Sequence, residues 1–184
     1  MEDFIFRSDK HYTYGDYCKL RDEHNYEVIG GTLIIEPKPG PRHQEIVRSI
    51  AQVLGDFLRK HDIGKVYIDV DVVFEDQVVS PDLVFIAKDR LAIVRESHIQ
   101  GAPDLVIEVF SPGSEFTDRK HKGDLYFANG VTQYWMVDPD TFLVEVLSLA
   151  EGGWLVGVYD EKDTFSSPVF PELRIEVKDF FGLS

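Results

Sequence analysis

A chain of 184 residues, 43% hydrophobic and 28% charged, is long enough for one sizeable core and has the balance of a globular rather than a disordered protein. Its formal net charge of −14 works against tight binding of a polyanion, because affinity for nucleic acid comes largely from basic groups that displace counterions, although carboxylates are what Mg²⁺ requires. No window approaches the ~20 apolar residues of a membrane span, the opening MEDFIFRSDK lacks the apolar stretch of a secretory signal, and a lone Cys18 excludes an intrachain disulfide or a thiolate zinc site.

These features read as a cytoplasmic protein with one domain over 1–184, its first residues, 1–11, a loosely ordered segment. Two short β-like runs over 26–36 (YEVIGGTLIIE) surround Gly30-Gly31, a hairpin signal, and PKPGP then breaks the pattern. Over 42–61, Ile46, Val47, Ile50, Val53, Leu54, Phe57 and Leu58 recur at three- and four-residue steps, one apolar stripe of a helix. His43 opens that stripe, and on such a face a rim or core histidine is the commoner reading than a metal ligand. After Gly64 the period becomes two, and the alternation through Val73 predicts one continuous half-buried strand. PDLVFIA (81–87) and PDLVIEVF (103–110) read as interior strands, each opened by proline. A break over 111–114 precedes a helix capped by Thr117 or Asp118 and ended by Asn129-Gly130. Three further strands follow, over 133–137, 142–149 and 154–159, with one last short strand in FPELRIEVKDFFG. This order, without regular βαβ alternation, predicts a mixed, largely antiparallel sheet flanked by helices.

Glu108 is the anomaly in this pattern. It shares a strand face with Asp104, Val106 and Phe110, and a carboxylate inside VIEVF is costly unless paired or metal-bound. Asp82, on the other Pro-Asp strand, can join it at one cation. Asp118 and Lys122 are spaced i, i+4 and share a helix face, from which a lysine reaches back over the sheet to position water or stabilise charge on a phosphorus centre. Structural readings stand beside these. Glu108 can be an internal ion-pair partner, Asp82 and Asp104 can be turn or strand caps, and Asp118 with Lys122 can be a solvated helix pair.

Residues 102–140 resemble the core signature of a large bacterial family of restriction-endonuclease-like proteins, long catalogued as a domain of unknown function, in the PD-(D/E)xK nuclease superfamily. Its members read PDLVVEVLSPS, an Asp and a Lys four apart, then Tyr, Gly-Val, Tyr-Trp and Val-Asp-Pro. The matching positions are Pro103 to Ser111, Asp118, Lys122, Tyr126, Gly130-Val131, Tyr134-Trp135 and Val137-Asp138-Pro139. Upstream, YEVIGGTLIIE and the following His-containing helix start match as well, with Gly30 where the family commonly has Asp, as does SPDLVFI.

The resemblance implies an α/β (α+β) restriction-endonuclease-like fold, a central mixed β-sheet flanked by helices with hairpins at both ends. It also implies a site of Asp82, Glu108 and a lysine. The superfamily's usual lysine position, two after the glutamate, is Phe110 here, and the family's displaced lysine corresponds to Lys122, with Lys120, on another side of the helix, a weaker substitute. Asp82 and Glu108 would hold Mg²⁺, or Mn²⁺ in its place. Asp104, Asp118, His43 and Glu27 would support them. The implied activity is Mg²⁺-dependent hydrolysis of DNA phosphodiesters, with a homodimer suited to cutting both strands. The alternative, favoured by the acidic charge, is a catalytically inactive binding or oligomerisation module. A basic rim drawn from Arg42, Arg48, Lys88, Arg90, Lys120 and Lys122 would favour the first.

Overall fold

The structure, a computed structural model, describes residues 5–6, 10–20, 22, 24–36, 38–111 and 117–183, with backbone alone at 5–6 and 117–119. It begins with β1 (Ile5–Phe6) and a short α1 (Tyr14–Tyr17), followed by the hairpin β2 (Asn25–Ile29) and β3 (Thr32–Glu36). Gly30 and Gly31 turn that hairpin at φ +58° and +77°, the left-handed pair that matches strand twist and that L side chains resist. Within residues 1–11, Ile5 and Phe6 pair with Ile34 and Leu33.

Next comes α2 (Pro41–Leu58), close to the predicted helix. Pro41 at its first turn needs no hydrogen-bond partner for a missing N–H. Its stripe buries Ile46, Ile50 and Leu54. After it run β4 (Gly64–Ile68), β5 (Val72–Phe74), β6 (Gln77–Val79), β7 (Leu83–Ala87), a 3₁₀ segment Lys88–Ile93, β8 (Ile99–Gln100) and β9 (Leu105–Val109). A π-helical turn, Thr117–Lys122, continues into α3 (Gly123–Ala128). The chain closes with β10 (Gln133–Asp138), β11 (Leu143–Ala150), β12 (Gly153–Tyr159), β13 (Thr164–Ser167), β14 (Phe170–Glu176) and α4 (Val177–Phe180). The break expected over 111–114 lies, beyond Ser111, outside the described residues.

The central sheet is mixed, in the order β12-β11-β10-β9-β7-β4, with β9 and β10 parallel and the other pairs antiparallel. The two Pro-Asp strands, β7 and β9, lie inside it as expected. A second six-stranded sheet, β1-β3-β2-β6-β5-β8, is an addition that the sequence pattern did not predict. One face of the central sheet (Leu83, Phe85, Leu105, Ile107, Trp135) packs against α2, α4 and the β13-β14 hairpin. The opposite face (Val84, Val106, Phe110, Tyr134, Met136) packs against the second sheet and α3 through Ile29, Val72, Val79 and Tyr126. Fold class is therefore α+β, with helices and a second sheet covering a central mixed sheet.

The strand predicted to run unbroken from Val66 to Val73 is two strands in different sheets. Asp69 adopts φ +51°, a left-handed conformation that Asp tolerates better than bulky residues, and there the chain leaves the central sheet. Its N–H donates to the carbonyl of Asp82 (3.1 Å), so this corner sits beside the end of β7.

Candidate functional site

Strand register brings the two carboxylates together. Leu83 faces Ile107 across the antiparallel β7–β9 pair, so Asp82, just before β7, and Glu108, near the end of β9, lie at the same end of the two strands. Asp82 Oδ2 accepts the Val109 N–H at 2.7 Å, which fixes its rotamer against β9. The same oxygen lies 3.1 Å from His43 Nε2, from the first turn of α2. An ionised carboxylate only accepts hydrogen bonds, so this contact requires the proton on Nε2. His43 is thus a half-buried rim histidine aimed at Asp82.

Behind Asp82 lies a buried ionic cluster. Lys122 is only 3% exposed, and its ammonium stands 3.1 Å from Glu108 Oε1 and 3.0 Å from Glu27 Oε1. Glu27 belongs to β2 and faces the interlayer core on the same side as Ile29. The lysine therefore bridges the second sheet to the central one. Tyr126, four residues after Lys122 across the π-to-α junction, donates its hydroxyl to Glu108 Oε1 at 3.0 Å. Burial first, and the Glu108 charge second, push that phenol well above its ordinary range, so it stays a donor. Ser80 supplies its backbone N–H to Glu27 Oε1 at 2.8 Å. Glu27 Oε2 is buried and meets no hydrogen-bond donor among the described residues.

The arrangement is anionic. Among the described residues, Asp82, Glu108 and Glu27 are set against one ammonium, an excess of two negative charges when His43 is neutral. Low surrounding polarity makes such an excess expensive unless protons or a cation offset it. Among the described residues no group of three or more His, Cys, Asp or Glu side chains is arranged to hold a metal alone. Two carboxylates with one histidine nearby are the kind of donor set a hard cation that keeps several waters would use, not a closed zinc centre.

Asp82, Glu108 and Lys122 line one cleft of about 620 Å³ with His43, and α2 forms one wall of it. Glu27 joins the cluster from behind. Other expected residues do not join. Asp104 sits four residues from Glu108 at the far end of β9, where its carboxylate takes the Ala87 N–H (2.8 Å) and Arg90 (2.7 Å), a strand-end role instead of support for Glu108. The Asp118 side chain lies outside the described residues. Of the expected basic rim, only Arg48 and Lys122 line the cleft. Arg42 pairs with Asp140, Lys88 with Asp62 and Arg90 with Asp104, and Lys120 is exposed outside it. Tyr126 was legible only as a position of the family pattern. Ser80 acts through its backbone and leaves no side-chain signal.

Among curated proteins, no relative matches. A solved structure titled as a putative nuclease belonging to DUF820, from Anabaena variabilis ATCC 29413, is similar throughout: TM-score 0.79, 25% identity, 92% of this chain and 97% of that one. The family model Uma2, described as putative restriction endonuclease, matches residues 12–178. That match takes in the hairpin with Glu27, the start of α2 with His43, both Pro-Asp strands and the Lys122 turn, and so the chain belongs to the Uma2 family.

Proposed function

We propose that the protein is a Mg²⁺-dependent endonuclease that hydrolyses DNA phosphodiesters, with Asp82 and Glu108 as cation ligands and Lys122 as the assisting cation. The observation that carries this reading is the convergence of Asp82 and Glu108 at one end of β7 and β9, with the Lys122 ammonium 3.1 Å from Glu108, at the wall of an open cleft. A bound Mg²⁺ supplies Lewis-acid stabilisation of the phosphoryl oxygens and lowers the pKa of water. Asp82 is held for that task by the Val109 N–H and His43. Glu108 is oriented by Tyr126 and Lys122. Lys122 offsets charge that builds on the phosphate as the P–O bond breaks. Supercoiled plasmid incubated with Mg²⁺ or Mn²⁺ should be nicked or linearised, and Glu108→Ala should abolish this. Cleavage by Glu108→Ala at the parental rate would refute the assignment.

The runner-up, an inactive member serving as a binding or oligomerising module, draws on one observation. Lys122 is already paired with two glutamates, which a purely structural ion cluster also requires. Absence of cleavage with every divalent ion, together with Mg²⁺-independent stability, would favour it. A homodimer also belongs to the proposal. β12 forms an edge of the central sheet, carries no charge over Gly153–Tyr159, and exposes Leu155, Val156 and Val158. An uncharged strand edge on a chain of net charge −14 suits antiparallel pairing with a second copy. Light scattering on Val156→Lys would read this as dimer converted to monomer. No described helix is long and apolar enough to cross a membrane, which is compatible with the cytoplasmic setting that belongs to the same reading.

A further inference from the structure

We propose that the cleft takes a single unpaired nucleic-acid strand in preference to intact duplex. Arg48 and Lys38 would contact the phosphates, and the apolar wall of Val47, Ala51 and Ile68 would receive the face of an unstacked base. This deepens the nuclease reading and rests on the same site.

The first observation is the unneutralised positive charge in the cleft. Among the described residues, Arg42, Arg59, Lys88, Arg90 and Lys178 lie against carboxylates. Arg48 and Lys38 are exposed, line the cleft, and have no ion-pair partner among the described residues. Arg48 follows His43 by five residues, about 7.5 Å along α2. That step is comparable to one nucleotide, so a strand with one phosphate at Asp82 presents the next to Arg48.

Access is the second. Glu108 and Lys122 are 4% and 3% exposed, at the wall of a cleft of about 620 Å³. Such a volume lies within the range of about 300–1,000 Å³ that holds a compact ligand, room for a nucleotide or two inside the cleft. A stiff duplex follows a recessed wall only by bending, whereas an unpaired strand follows it freely.

The third is the apolar wall. Ile68, on edge strand β4, is 53% exposed, and it lines the cleft with partly buried Val47 and Ala51. Duplex DNA offers phosphates and groove edges to such a wall, whereas an unpaired strand offers base faces, which bind flat apolar surfaces with little regard to sequence. Glu36 and Asp69 also line the cleft and repel a backbone, which leaves the α2 side as the path.

The test is fluorescence anisotropy with the full chain in Ca²⁺ and in EDTA, using labelled 12-mers of oligo-dT, oligo-rU and a mixed-sequence duplex. Single strands should bind at least tenfold tighter than duplex, with the two sugars separated in the dT and rU arms. Arg48→Ala and Lys38→Ala should each weaken single-strand binding about three- to tenfold and flatten the slope of log K against log salt by about 0.7. Ile68→Ser should weaken binding without changing that slope. Duplex bound as tightly as single strand, no binding of any probe, or variants with parental affinity and slope would each overturn the inference. Its failure is separable from that of the nuclease reading. Glu108-dependent cleavage with a duplex preference sinks only the strand inference, whereas Arg48-dependent single-strand binding without cleavage in any divalent ion sinks only the catalytic one.

Discussion

Replacing Lys122 by methionine removes the only cation that, among the described residues, separates two buried carboxylates. Glu27 is fully buried and Glu108 is 4% exposed, and both present Oε1 to the lysine at about 3 Å. Removing one partner of such a pair costs about 3–5 kcal/mol, because an uncompensated charge stays in the interior. The penalty here should reach the upper half of that range, since two acids lose one shared cation, with Tyr126 and the Ser80 N–H still bonded to them. For a chain of this size each kcal/mol is worth roughly 2–4 °C in Tm, so the variant should melt about 10 °C lower at pH 7. Thermal melts followed by circular dichroism at pH 7 measure this, and excess Mg²⁺ should restore part of the loss by replacing the ammonium. A Tm within about 2 °C of the parent would refute the argument that this lysine holds the two layers together.

Tyr126→Phe should destabilise the fold by about 1–3 kcal/mol, the cost of removing one donor from a buried carboxylate, measurable by urea unfolding at unchanged m. Asp82→Asn should remove most Mn²⁺ binding in a calorimetric titration while leaving the Tm near parental, because the asparagine oxygen still accepts the Val109 N–H. Gly64→Ala should destabilise by roughly 1–3 kcal/mol or more: an added Cβ would stand 2.3 Å from the Ile86 carbonyl and 2.5 Å from the Phe85 ring, in the backbone of the central sheet where little can shift. An unchanged Tm for Gly64→Ala would mean that β4 is not packed on β7 as described.

Local pattern was enough for the elements nearest the site. A short apolar run with a leading proline defines β7 and β9, which are buried on both faces, and the 3.6-residue stripe beginning at His43 defines α2, which buries one face and so writes that spacing into the chain. The same logic exposed Glu108, a charge where the pattern asks for an apolar residue. It failed between Val66 and Val73, where alternation continues on both sides of a corner that only the left-handed Asp69 marks. A residue's face is set by its nearest neighbours, but the sheet it joins is set by partners far away in sequence.

Composition, spacing and family pattern thus determined by themselves an α+β chain with two acidic strands and a following lysine turn. Only tertiary structure decided that Glu27 of a second sheet shares that lysine, that His43 reaches Asp82, and that Asp104 and Arg90 retire to the other end of β9. The physical reason is distance along the chain. Glu27 and Lys122 meet across two layers. Register between strands, not periodicity within them, puts Asp82 and Glu108 at the same end of β7 and β9.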